Sequence, residues 1–168
     1  MLIDSYNREL TYLRVSVTDK CNLRCRYCMP PEGVPLLDHE QVLRNEEFVY
    51  FIELFASMGI KKVRFTGGEP LVRRGFVDII REVRKRLPNL EICITTNGVL
   101  LDKYLDDFKV LQVNKLNISL DTLSPALYEE ITGSDYHSRV LKSTRAALDA
   151  GVFDVKINAV IQEHTIGE

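Results

Sequence analysis

The chain has 168 residues, 45% hydrophobic and 27% charged, with 22 Lys plus Arg against 24 Asp plus Glu for a formal net charge of -2. That mixture supplies one sizeable core and excludes a disordered or collagen-like chain, and it leaves no global positive field to hold nucleic acid or an anionic membrane. Apolar runs such as Val99 to Leu101 fall far short of the roughly 18 residues of a membrane span, and MLIDSYNREL is acidic where a signal peptide is basic and then apolar. The expected setting is cytoplasmic, with small molecules or other proteins as partners.

After a polar start, Leu13 to Val17 alternates like a strand, and Thr18-Asp19-Lys20 leads from it into Cys21, Cys25 and Cys28. Pro30 to Asn45 is broken by prolines and a glycine and reads as connection with one short turn. Asn45 is the expected N-cap of a helix that Glu46 and Glu47 favour and Gly59 stops. Lys62 to Thr66 is the next strand, and a helix from about Gly75 to Leu87 puts Phe76, Ile79, Ile80, Val83 and Leu87 on one face, leaving Arg81, Arg84 and Lys85 for solvent. Glu91 to Thr95 is strand three, Asp102 to Leu111 a poorer helix, and Lys115 to Leu120 strand four. Ser124 and Pro125 then open a helical stretch, a last helix runs from about Ser138 to Ala150, and Val155 to Ile161 makes strand five.

Strands alternating with helices make repeated βαβ units, hence a parallel sheet with right-handed crossovers. Such a series either stays open or closes as a barrel, and closed barrels usually take about 250 residues. In both versions ligands gather at the carboxyl ends of the strands.

Three cysteines within eight residues, spaced C-x3-C-x2-C after strand one, suit the soft-sulfur ligation of a 4Fe-4S cube. Three thiolates leave one corner iron open, as an open position marks a reactive rather than a structural metal. Structural zinc would want a fourth ligand, yet His39, His137 and His164 are scattered and Cys93 lies inside a strand as a small buried hydrophobe. An electron-transfer ferredoxin would carry four cysteines in its own spacing. Thr66-Gly67-Gly68-Glu69-Pro70 follows strand two on the same edge, where paired glycines allow a ligand close to the backbone, although a plain turn explains them as well. Strands three and four run into Thr95-Thr96-Asn97-Gly98 and Ser119-Leu120-Asp121. Arg14, Arg64 and Lys156 sit inside strands that a helix-covered parallel sheet buries on both faces, a costly placement unless they face a polyanion.

The cysteine spacing and Gly-Gly-Glu-Pro on consecutive units resemble the radical S-adenosylmethionine (radical SAM) superfamily. Within it LRVSVTDKCNLRCRYCMP, KKVRFTGGEPLVRR, ITTNG, NISLD and VKINAVIQ are similar to the GTP 3',8-cyclase family of molybdenum cofactor biosynthesis, from about Leu13 onward. The resemblance implies an α/β fold: a partial (βα) TIM-type barrel of about five parallel strands with covering helices, incomplete at the C-terminus, over residues 1–168. It implies that Cys21, Cys25 and Cys28 hold a 4Fe-4S cluster, that Tyr27, Gly68, Glu69 and Ser119 line the S-adenosylmethionine site, and that Arg14, Arg64, Thr95 and Lys156 contact GTP. The family's chemistry is reductive cleavage of S-adenosylmethionine to a 5'-deoxyadenosyl radical that starts cyclisation of GTP, with electrons from a reducing donor.

Members of that family continue through the rest of the barrel to a second cluster held by three further cysteines. The expectation is therefore the N-terminal part of such an enzyme, or a shortened relative, that alone does not turn over GTP, with an unpaired edge on strand five exposed or used in association. Two other readings stay open: a radical SAM enzyme acting on a peptide or another small molecule, and an iron-sulfur carrier or zinc-stabilised binding module without catalysis.

Overall fold

The computed structural model describes residues 1–30 and 32–166; the side chains of His39 and His164 lie outside that description. Five strands, β1 (Tyr12–Ser16), β2 (Lys62–Thr66), β3 (Glu91–Thr96), β4 (Lys115–Ser119) and β5 (Asp154–Asn158), form one all-parallel sheet in the order β1-β2-β3-β4-β5. The helices between them are α1 (Asn45–Ser57), α2 (Phe76–Arg86), α3 (Leu105–Val110), α4 (Pro125–Thr132) and α5 (His137–Asp149). The sheet is open, so β1 and β5 are both edges.

The pleat divides the strands into two unlike faces. Val63, Phe65, Ile92, Ile94, Leu116 and Ile118 are buried in one core with Phe48, Ile52, Phe76, Ile79, Ile80, Val83, Phe108 and Val140 of the helices. The alternate positions, Tyr12, Arg14, Lys62, Arg64, Glu91, Thr95, Lys115, Asn117, Asp154 and Lys156, are exposed or half-buried. Helices thus cover one face only. The expectation that the strand cations are enclosed on both faces is corrected: they stand on an open, polar face, where solvent removes most of the cost of their charge. Cys93 is corrected in part, being buried as expected but on this polar face, 3.7 Å from Glu91 Oε1 and outside the apolar core.

Two local expectations also change. Asn45 is the first helical residue rather than the cap: Glu47 reaches back to accept the Arg44 N–H at 2.7 Å, while Asn45 Oδ1 accepts from Arg73 at 2.9 Å. Arg84 is not solvated like its neighbours. Its guanidinium donates to the carbonyls of Pro88, Leu90, Leu111 and Gln112 at 2.6 to 3.0 Å, tying the end of α2 to the turns before β3 and β4. Ser124 caps α4 as its sequence requires, accepting from the Leu127 N–H. No helix among the described residues is long and apolar enough to cross a membrane.

Candidate functional site

The cysteine loop leaves β1 and is pinned on both flanks. On one, the Gly68 N–H donates to the Thr18 carbonyl at 2.7 Å and the Glu69 N–H to the Lys20 carbonyl at 2.8 Å, zipping the turn after β2 to the run that enters Cys21. A Cβ on Gly68 would overlap the Lys20 carbonyl, and one on Gly67, whose φ is +146°, the Thr18 carbonyl. Part of the reason for two glycines is therefore the approach of another stretch of this chain. On the other flank, the Arg24 and Arg26 N–H groups donate to the Thr132 and Ile131 carbonyls at 3.0 and 2.9 Å. Those carbonyls belong to the last turn of α4, which has no intrahelical donors for them.

Within the loop, the Cys28 and Met29 N–H groups both donate to the Cys25 carbonyl at 2.9 Å. All cysteines of the chain are free thiols; Cys21 and Cys25 are half-buried and Cys28 exposed. Burial, followed by the neighbouring Cys21, Asp121 and Cys28, pushes Cys25 up to about 11, and burial is also the main cause that raises Cys21. A nucleophilic cysteine is made by the opposite environment, a cation or helix N-terminus that favours thiolate.

The Glu69 carboxylate is 1% exposed and already engaged: Oε1 accepts from the Leu71 N–H and Thr96 Oγ1 at 3.0 and 2.8 Å, and Oε2 from the Asn97 N–H at 2.7 Å. Burial raises its pKa against those three donors. Its contribution is to fasten the end of β3 to the turn after β2. Asn97 carries the tie onward, its Nδ2 lying 2.8 Å from Asn22 Oδ1 and 3.9 Å from Cys21 Sγ. Tyr27 is exposed, and its hydroxyl donates to Asp121 Oδ2 at 2.7 Å while Asp121 Oδ1 accepts the Val160 N–H at 2.8 Å. Burial and the facing Asp121 carboxylate raise the Tyr27 phenol.

On the open face, Arg14 and Arg64 are register partners across β1 and β2, and Thr95, Asn117 and Lys156 are partners across β3, β4 and β5. Arg64 Nη1 donates to Thr95 Oγ1 at 3.2 Å and Nε to the Tyr12 hydroxyl at 2.7 Å. The side chains of Arg14 and Lys156 have no ion-pair partner among the described residues. Ser119 ends β4, half-buried on that same face. Asn97 and Asp121 were visible in the sequence only as polar strand ends; that they turn to Asn22 and Tyr27 depends on chain separations of 75 and 94 residues.

The donor set fits an iron-sulfur cluster. Three reduced thiols share one short loop, and the Cys21 sulfur already accepts the Leu23 N–H at 3.4 Å, the kind of amide contact that ligand sulfurs take. Among the described residues no three His, Cys, Asp or Glu are drawn together tightly enough to hold a single ion.

Residues 15–166 match the model of the Radical SAM superfamily. The chain belongs to the radical SAM superfamily. It is 51% identical over 163 residues to a GTP 3',8-cyclase of Petrotoga mobilis, covering 96% of this chain and 50% of that protein. It is 47% identical over 161 residues to the mitochondrial GTP 3',8-cyclase of Arabidopsis thaliana, covering 96% of this chain and 41% of that one. The chain thus spans about half the length of the curated relatives it matches. Among solved structures it is similar to SuiB of Streptococcus suis bound to precursor peptide SuiA, with TM-score 0.77 at 20% identity over 91% of this chain and 33% of that chain. It is also similar to anSMEcpe with bound AdoMet, with TM-score 0.73 at 20% identity over 92% and 43%. These likenesses show that the radical SAM fold is present, a partial barrel of five parallel strands in one open sheet.

Proposed function

We propose that this chain carries the radical SAM half of a GTP 3',8-cyclase acting in molybdenum cofactor biosynthesis. Cys21, Cys25 and Cys28 hold the 4Fe-4S cluster, and Tyr27, Gly68 and Ser119 line the S-adenosylmethionine site beside it. When bound, the cluster supplies one-electron cleavage of S-adenosylmethionine, for which a reducing donor is needed. Glu69 serves that site by bracing its walls, since its oxygens are occupied by protein donors. Tyr27 is steadied against the end of β4 by Asp121.

The observation that carries the reading is the open polar face: Arg14, Arg64, Thr95 and Lys156 stand in rows across the strands, on the sheet whose loops bear the cysteines. Guanidinium and ammonium groups without carboxylate partners are what a triphosphate recruits, by fork and point-charge contacts respectively. Arg64 is presented ready-oriented, with Tyr12 and Thr95 fixing its plane. Arg14 and Lys156 remain exposed, and the face is open at β1 and β5. Radical chemistry needs water shut out, so these residues alone bind GTP without turning it over. The free β5 edge is the place for a further strand, from this chain or another. The setting is cytoplasmic.

Exchange of Arg14 or Lys156 for Ala is expected to weaken GTP binding about tenfold or more, the worth of a charge-assisted contact, while 5'-deoxyadenosine formation from S-adenosylmethionine is spared. Unchanged GTP affinity in both variants, measured by equilibrium dialysis, contradicts GTP as the substrate.

A further inference from the structure

We propose that Asn97 is a positioning residue for the cluster, a carboxamide whose N–H is aimed at the Cys21 sulfur and whose backbone is anchored by the buried Glu69. The proposal rests on the reading of the cysteine loop as an iron-sulfur site. Asn97 has little freedom of orientation. Its Oδ1 accepts the Val99 N–H at 3.1 Å, which fixes which end of the amide is nitrogen, and Nδ2 then faces Asn22 Oδ1 at 2.8 Å and Cys21 Sγ at 3.9 Å. Its own N–H is held by Glu69 Oε2 at 2.7 Å, and the neighbouring Thr96 hydroxyl by Glu69 Oε1 at 2.8 Å. Glu69 is 1% exposed, so this anchor does not compete with water.

One chain of contacts therefore joins the turn after β2, the end of β3 and a single ligand sulfur. Among the described residues the Leu23 N–H is the other donor on that sulfur, at 3.4 Å. Donors to a ligand sulfur stabilise the more negative, reduced state of a cluster and so raise its potential, and outer partners of this kind also fix the ligand's direction. A bare loop brace would need only the Asn22 contact, which gives the experiment its control.

The test is a redox titration followed by electron paramagnetic resonance on the protein reconstituted anaerobically with iron and sulfide, with thermal unfolding measured alongside. Asn97→Ala is expected to make the potential more negative, lowering the reduced fraction at a fixed potential by about threefold to tenfold, the range of one hydrogen bond. Asn97→Asp, which can keep the Val99 contact but sets a carboxylate against the sulfur, shifts it further. Asn22→Ala costs stability and leaves the potential where it was. Equal potentials in wild type and both Asn97 variants, or a shift in Asn22→Ala as large as in Asn97→Ala, overturn the proposal, as does loss of the fold in both Asn97 variants. A wild-type protein that takes up no cluster overturns the site reading itself, a separate result.

Discussion

Glu69 is 1% exposed in a turn whose sequence suggests a ligand-facing surface, and its carboxylate oxygens are turned inward to Leu71, Thr96 and Asn97. Exchange for Gln keeps the shape but turns an N–H toward one of these donors, and a buried donor left without an acceptor costs about 1–3 kcal/mol. Glu69→Gln should therefore lower the thermal midpoint; an unchanged midpoint would mean that the three contacts hold nothing. Tyr128 presents the reverse case. It is 2% exposed and its hydroxyl has no hydrogen-bond partner among the described residues. Burial pushes the Tyr128 phenol up to about 12, and the nearby Thr132 gives its hydrogen to the Tyr128 and Ser134 carbonyls. Tyr128→Phe should stabilise the cluster-free protein by about 1 kcal/mol by removing a buried, unpaired polar group. A clear loss of stability in denaturant unfolding would instead reveal a water bound there.

At the scale of elements, α1 owes its start to Glu47, whose contact with the Arg44 N–H, aided by the Arg44 side chain, holds the carboxyl below its ordinary value of 4.5. The folded value lies below the unfolded one, so this capping is present above the unfolded pKa and is lost as pH falls through the folded one. Hydrogen exchange at Arg44, corrected for intrinsic rates, should lose protection below the usual carboxylate range, and Glu47→Ala should abolish that dependence; flat protection in the wild type contradicts it. The same helix marks where sequence reading stopped. The strand at Lys62–Thr66 and the cap of α4 are local patterns, an alternation of apolar residues and a Ser-Pro pair, and they were legible. Whether Asn45 caps α1 or turns to Arg73 is decided 28 residues away, and two of the four carbonyls that hold Arg84, those of Leu111 and Gln112, lie 27 and 28 residues off, where no local window reaches.

Across the whole molecule, the cysteine spacing and the strand order made the site's place legible, because βα loops share one end of a parallel sheet. The one-sidedness of the helical cover was not, since alternating polar residues in a strand read equally well as solvent-facing or as lining a cavity. The open face explains how Arg14, Arg64 and Lys156 coexist with a helix-packed sheet, and the pinned loop explains how Cys21 and Cys25, whose thiols burial pushes up, are held on one short loop with Cys28. Both point to one claim, that three sulfurs of this chain hold a cluster with a corner left for S-adenosylmethionine. The direct measurement is the electron paramagnetic resonance spectrum of the anaerobically reconstituted, dithionite-reduced protein before and after S-adenosylmethionine is added. The expected result is a reduced-cluster signal whose shape changes on addition, and which is lost when Cys21, Cys25 or Cys28 is exchanged for Ala but kept in Cys93→Ala. A signal indifferent to S-adenosylmethionine, or one that survives loss of any of the three, would contradict the account.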